Sequence, residues 1–279
     1  IIFHTMINLL KTEWLKIKTY TGFILLASFF TVGVVVSNYI VYIFKKNVLD
    51  KVKASELLFS GSPFDFDKVW QTVSYYSGFF LMLPALLLVI LMSNEFSYKT
   101  HRQNIIDGWS RMQFLNVKLA TAFIFAAAST GVVIVTALIF GATSGSDFSL
   151  NGFENIGYFM LKAITYNLVA ILISLLTRKS GVAIALFFIY TIFENGVSML
   201  LFFLAVKLKK DNDLDLGNLG NYLPMNASDG LITSPFEQFS GMARNIIPAD
   251  KNQLVLALAI LYIVIFYLWS KRKMMRSDM

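Results

Sequence analysis

Residues 93–118 read SNEFSYKTHRQNIIDGWSRMQFLNVK, and they separate two apolar runs that are each long enough to cross a membrane. The stretch carries Glu95, Lys99, Arg102, Asp107, Arg111 and Lys118, and an Asp107-Gly108 turn divides it into two short helical pieces. A plain hairpin between two membrane helices needs only a handful of residues. This connection is long, basic and amphipathic, which reads as a surface that something has to touch.

Composition sets the class around it. The chain has 279 residues, of which 56% are hydrophobic and 15% charged, and its mean hydropathy is +0.63. Soluble domains carry roughly a quarter charged residues, so the deficit argues for a polytopic membrane protein. The formal charge of +7 does not point to nucleic acid, because the basic residues sit at the ends of apolar runs, where membrane proteins set topology. With no cysteine there are no disulfides, thiolates or thiol metal sites. His4 and His101 stand far apart and outside any metal-ligand spacing.

Six spans follow from the apolar runs at about twenty residues per crossing. They are Tyr20–Phe44, Trp70–Met92, Phe114–Phe140, Gly157–Thr177, Val182–Val206 and Gln253–Ser270. The expected fold is therefore all-α, a single membrane domain of six helices. Before the first span, Met6–Lys18 places Ile7, Leu10, Trp14 and Ile17 at helical spacing, with Lys11, Lys16 and Lys18 on the other side. That pattern fits an amphipathic helix lying in the interface, its lysines toward anionic lipid, or an ordinary basic topogenic terminus. The first methionine is Met6, and residues 1–5 carry no weight in this reading. Pro84 should break the second span, and Arg178-Lys179-Ser180-Gly181 leaves room only for a tight hairpin between the fourth and fifth.

Thirteen Lys and Arg fall on the side that holds both termini, Ser93–Gln113 and the Arg178-Lys179 turn, against ten on the other side. The short, purely basic turn and the KRKMMR tail place that side in the cytoplasm. The outer segment Lys207–Asn252 opens as a solvated charged run and then turns semi-apolar, with Leu219, Tyr222, Leu223, Leu231, Ile232, Phe236 and Phe239. Pro224, Pro235 and several glycines prevent one long helix there. Short helices that dip back toward the bilayer fit the pattern, as does a folded outer cap. Asn226-Ala227-Ser228 matches the glycosylation triplet, which is common by chance and assigns nothing.

Catalytic chemistry finds no footing. There is no GxxxxGK[ST] phosphate loop and no HExxH pair, and neither histidine lies within a span. Two ionisable residues do lie within spans, Lys162 and Glu194, each costing roughly 3 kcal/mol in hydrocarbon. Glu194 sits near mid-span beside Asn195 and Gly196, and reads either as a pathway or gating residue or as a structural buried polar group. Lys162 lies close enough to the outer end of its span to snorkel outward. Their depths differ by roughly 10 Å, so direct pairing would need a tilt or a break.

The order of parts resembles an ABC-2-type transporter permease. The motifs that carry the likeness are the N-terminal TEWLKIK and an acidic residue closing span two, Glu95. Thr100 and Arg102 follow, then the turn Gly108-Trp109-Ser110-Arg111, Lys118 opening span three, and YLPMNASDGLI (Tyr222–Ile232) before the last span. The family's usual glycine before the threonine is Lys99 here, and glycine replaces the commoner proline at 108. The resemblance implies a coupling helix in Ser93–Gln113 that seats on a separate cytosolic ATPase, with Glu95, Tyr98, Lys99, Thr100, Arg102 and Arg111 as the contact residues. Arg111 equally suits fixing the turn or binding lipid phosphate.

The resemblance further implies a dimer of permease chains, homodimeric or with a sister permease, in a bacterial plasma membrane. Lys162, Glu194 and Asn195 are the pathway or gating candidates. This chain itself binds no cofactor on that reading, ATP and magnesium residing on the partner, and it is not an enzyme. A membrane scaffold or immunity-type protein and an ATP-independent channel or carrier are the competing classes. The Phe-, Leu- and Val-rich spans suit a lipidic, peptidic or drug-like cargo without choosing among them.

Overall fold

The computed structural model describes residues 2–49, 63–212, 214–235, 248 and 251–276. All regular structure among them is helical. Helix α1 (Ile2–Lys18) precedes α2 (Thr21–Phe44), and the second span is a broken pair, α3 (Phe66–Gly78) and α4 (Met82–Ser97). A short α5 (Thr100–Ile106) leads into the long α6 (Arg111–Ser144), then α7 (Glu154–Thr177) and α8 (Ser180–Asn212). A one-turn α9 (Asn226–Asp229) precedes the last helix, α10 (Asn252–Arg276). Six of the described helical stretches are long and apolar enough to cross a membrane, and the chain is a multi-pass membrane protein.

Local chemistry explains the breaks. Pro84 has no N–H to offer the Phe80 carbonyl, and the chain tightens into a 3-10 turn over Phe79–Leu81 between α3 and α4. Ser110 caps α6 through a reciprocal box, its hydroxyl accepting from the Gln113 N–H while the Gln113 side chain accepts from the Ser110 N–H. Arg178 ends α7 in the left-handed region at φ 55°, and two residues later α8 begins, so α7 and α8 form the expected tight hairpin. The helices outrun the apolar segments: α6 begins three residues before Phe114 and continues to Ser144, and α8 reaches Asn212.

Helix α7 is the centre of the bundle. Of its apolar window 72% is buried, against 17% for α2 and 11% for α8, whose outer faces carry exposed Ile, Leu, Val and Phe. Interior polar groups stitch α7 to its neighbours: Asn167 donates to the Ala122 carbonyl of α6 at 2.8 Å, and the Ser174 hydroxyl faces the Val89 carbonyl of α4 at 3.5 Å. Trp70 of α3 donates to the Ser149 carbonyl at 3.0 Å, fixing the loop that enters α7. Phe236 and Phe239 lie outside the described residues.

Candidate functional site

At the end of the bundle that bears α5, four charges from three helices meet. Lys118 of α6 places its Nζ 2.6 Å from Oε2 of Glu13 on α1 and 2.7 Å from Oε1 of Glu95 on α4. Lys16, one turn beyond Glu13, lies 3.2 Å from Glu13 and 3.7 Å from Glu95. Lys118 is 4% exposed and Glu13 is 3% exposed. Two cations thus balance two carboxylates, with Lys118 and Glu13 buried and Lys16 on the solvated side, and pairing is the condition under which buried charges are tolerated. Burial pushes the Glu13 carboxyl up, but Lys118 and Lys16 overcome it and hold Glu13 below its ordinary range.

The same Glu95 organises the backbone that follows. Its carbonyl accepts from Thr100 Oγ1 at 3.4 Å and from Nδ1 of His101 at 3.0 Å, and the His101 ring packs on Phe96 at 4.8 Å. Lys99, between them, adopts φ 60°, the left-handed conformation in which glycine is at ease. Helix α5 then buries His101 and Asn104 and turns Arg102 and Ile106 outward. Tyr98 is 77% exposed and Ile106 is 78% exposed. At Gly108 φ is +95°, which proline, fixed near −65°, cannot adopt, so glycine is the residue this turn needs. Trp109 lies over Lys16 at 5.9 Å. Arg111 donates to the Met275 carbonyl at 3.0 Å, tying the start of α6 to the last turn of α10.

The six residues named for this end therefore divide. Tyr98, Lys99, Thr100 and Arg102 are exposed, whereas Glu95 points inward to Lys118 and Arg111 reaches α10. Glu13 was not singled out by sequence. The apolar stripe of α1 drew attention instead, yet only Ile17 of that stripe is buried, while Trp14 is half exposed. The one sequence signal for Glu13 is its place within TEWLKIK, with Lys16 at i+3.

At the opposite end the two intramembrane charges do not meet each other. Glu194 of α8 is 5% exposed, and its Oε1 accepts from the backbone N–H groups of Met225 and Asn226, the latter at 2.9 Å, and from Asn226 Nδ2 at 3.3 Å. Lys162 of α7 places Nζ 3.3 Å from Oδ1 of Asp229, while the Tyr166 hydroxyl donates to Asp229 Oδ2 at 2.9 Å. Lys162 thus finds an acidic partner in place of the outward snorkelling that its position suggested. Gly78 makes room for it, since a Cβ there would stand 2.9 Å from Nζ. Asn226, the first residue of the Asn-Ala-Ser triplet, is engaged and buried. Asn195, by contrast, is exposed, its amide donating back to the Thr191 carbonyl at 2.9 Å.

A family model described as ABC-2 family transporter protein matches residues 9–194, well over half the chain. The matched region contains the whole Glu13–Glu95–Lys118 joint and α5, and ends at Glu194, short of Tyr222–Ile232. Among curated proteins none matches the sequence at a significant level. With six helices long and apolar enough to cross a membrane and a family match over residues 9–194, the chain belongs to the ABC-2 transporter family.

Proposed function

We propose that the chain is the permease subunit of an ATP-driven exporter, that two such chains, identical or sister, form the pathway between them, and that a separate cytosolic ATPase drives it through α5. The observation that carries the reading is the contrast at α5. An exposed Tyr98 just before α5, and exposed Arg102 and Ile106 on it, stand above a base fixed to α1, α4 and α6 by the buried Glu13–Glu95–Lys118 cluster. A short helix that with its lead-in offers an aromatic, an aliphatic and a cationic anchor suits a groove on a soluble partner. Its rigid base passes displacement to two spans at once. On this reading the α5 end is cytoplasmic, together with both termini and the Arg178-Lys179 turn, in a bacterial inner membrane. α1 lies at the interface.

Asn195 and Gly196 face outward at mid-span on α8, among Ile192, Phe193 and Met199. A polar amide on that face is better placed against a second chain or a hydrated path than against lipid tails. ATP and magnesium belong to the partner.

The test is co-expression with an ABC ATPase from an adjacent reading frame, which this reading predicts, followed by purification and ATP-dependent transport in liposomes. The partner should co-purify, and Arg102→Glu should abolish coupling while leaving the melting temperature of the permease unchanged. Failure of any ATPase to associate with the folded chain overturns the reading. Charge reversal at Glu95 is not an equivalent test, because it would place a third cation beside Lys118 and Lys16 and disrupt the joint itself.

A further inference from the structure

We propose that the chain holds one anionic phospholipid against its membrane face, with an acyl chain in the groove between α2, α4 and α6 and the phosphate over Lys11 and Lys18 of α1. The site rests on the reading that α1 lies at the interface and makes no use of the ATPase. The groove holds about 140 Å³, and Phe23 and Phe30 of α2, Pro84 and Leu87 of α4, and Phe125 and Ser129 of α6 line it. Thr31 and Ala128 stand exposed at its two rims. Each rim continues an exposed apolar face, Ile24 seven residues before Thr31 on α2, and Ile124 and Val135 with Ala128 on α6. The groove therefore opens where the bundle meets lipid.

Depth and width select the occupant. From Phe23 to Thr31 the α2 side of the groove rises about 12 Å, which fits within one leaflet of a hydrocarbon core about 30 Å thick. On α6 the groove begins at Phe125, about 10 Å of helix beyond Lys118 in the charged joint. That is the depth of acyl chains, not of headgroups. A cavity of about 150 Å³ takes a single benzene ring, so the groove admits an alkyl chain and is too narrow for a helix about 10 Å across. The Thr31 hydroxyl donates to the Ala27 carbonyl of its own helix at 2.9 Å, so this rim calls for no water.

The α1 end of the groove leads to charge. Phe125 stacks on Phe23 at 6.1 Å, and Phe23 meets Trp14 of α1 edge-on at 5.9 Å. Lys11, Trp14 and Lys18 follow at i, i+3 and i+7 and form one exposed face of α1. Glu13, the acid of this helix, turns the other way to Lys118, and Lys16 goes with it, so the two cations of the exposed face keep their charge for an outside anion. A tryptophan at headgroup depth with lysines beside it attracts anionic lipid, whereas a zwitterionic headgroup brings its own cation and gains little. An aromatic path runs from two exposed ammonium groups to an alkyl slot, the order of parts in a phospholipid.

The test titrates the purified full chain in detergent with dioleoylphosphatidylglycerol or dioleoylphosphatidylcholine and counts bound lipid by native mass spectrometry. The wild-type chain should bind a single phosphatidylglycerol about tenfold or more tightly than phosphatidylcholine. Lys11→Gln with Lys18→Gln should erase that preference, and both positions are exposed, so the fold is kept. Ala128→Phe fills the groove from its exposed rim and should weaken both lipids about tenfold while the preference stays. Glycerol 3-phosphate, which has the phosphate and no chain, should leave the melting temperature where it is, while phosphatidylglycerol raises it. Equal affinity for the two lipids in the wild type, or a preference that survives the double lysine variant, overturns the headgroup assignment. Unchanged binding by Ala128→Phe, or stabilisation by glycerol 3-phosphate alone, overturns the acyl groove. No ATPase is present, so failure here leaves the exporter reading standing, just as an ATPase that fails to associate leaves the lipid site standing.

Discussion

Removing the Lys118 ammonium is the sharpest perturbation of the joint beneath α5. In Lys118→Met the side-chain volume is kept and two carboxylates lose the cation 2.6 and 2.7 Å away. At an effective dielectric constant of about 20 each contact is worth about 6 kcal/mol of gross attraction, most of it offset by taking the charges out of water. What the variant feels is the penalty of carboxylates left facing each other, about 3–5 kcal/mol for a buried pair broken on one side. Lys16 remains 3.2 Å from Glu13 and 3.7 Å from Glu95, but it is partly solvated, so the lower end of that range is expected. On the scale of soluble domains about 3 kcal/mol corresponds to a fall in melting temperature of roughly 6–12 °C.

Thermal unfolding of the purified chain in detergent measures the fall, and Trp109, stacked over Lys16, reports the joint directly. Neutralising the carboxylates as well, by Glu13→Gln and Glu95→Gln on the Lys118→Met background, should recover most of the loss, since a buried ion cluster exchanged for neutral groups is close to neutral in stability. A fall of under about 2 °C, or a triple variant no better than the single, would falsify the claim that these charges hold α1, α4 and α6 together.

Three further outcomes follow from particular residues. Burial raises the Glu13 carboxyl while Lys118 and Lys16 lower it further, to a position below its ordinary 4.5. Its stabilisation is therefore complete above that value and is lost as pH falls through the folded one, so acidification from about pH 6 to about pH 3 should lower the melting temperature of the wild-type chain more steeply than that of Glu13→Gln. At Lys99, φ 60° disfavours any side chain, and Lys99→Gly should raise the melting temperature by about 1–4 °C whereas Lys99→Val lowers it, as thermal unfolding will read. Gly78→Ala displaces only the flexible end of Lys162, so it should leave stability within about 1 kcal/mol, as thermal unfolding will read.

The spans were legible because an apolar run of bilayer length has few other uses, and the breaks were legible because Pro84 and the Arg178-Lys179 pair act locally. The helix ends were not, since hydropathy marks the thickness of hydrocarbon and α6 and α8 keep their hydrogen-bonded turns beyond it. The convergence of Glu13, Glu95 and Lys118 carries no periodicity: the partners are set by helix packing across a hundred residues. Glu194 and Lys162 were visible as expensive charges, and depth arithmetic rightly kept them apart. Their partners stayed hidden because an irregular segment supplies them, backbone N–H groups for Glu194 and the Asp229 carboxylate for Lys162, and no periodicity brings them there.

The two ends of the bundle use charge in opposite ways, and α7 connects them. Beneath α5 Lys118 and Glu13 are buried and pair with each other, and Lys16 closes the cluster on its solvated side. Around Tyr222–Ile232 Glu194 faces backbone N–H groups and Lys162 faces the Asp229 carboxylate, beside the buried Met225, Leu231 and Ile232. Asn167 bonds α7 to α6, and Ser174 sets it against α4, the two helices that carry the α5 joint. The same α7 holds Lys162 and Tyr166 against Asp229. On the permease reading a rocking of α4 and α6 cannot leave α7 in place, because its buried surface admits no slip without leaving voids. It must therefore change the reach of Lys162 toward Asp229. A carboxylate and an ammonium held at 3.3 Å lose attraction steeply over the first ångströms of separation once water enters, which lets a small shift of one rigid helix act on the outer segment.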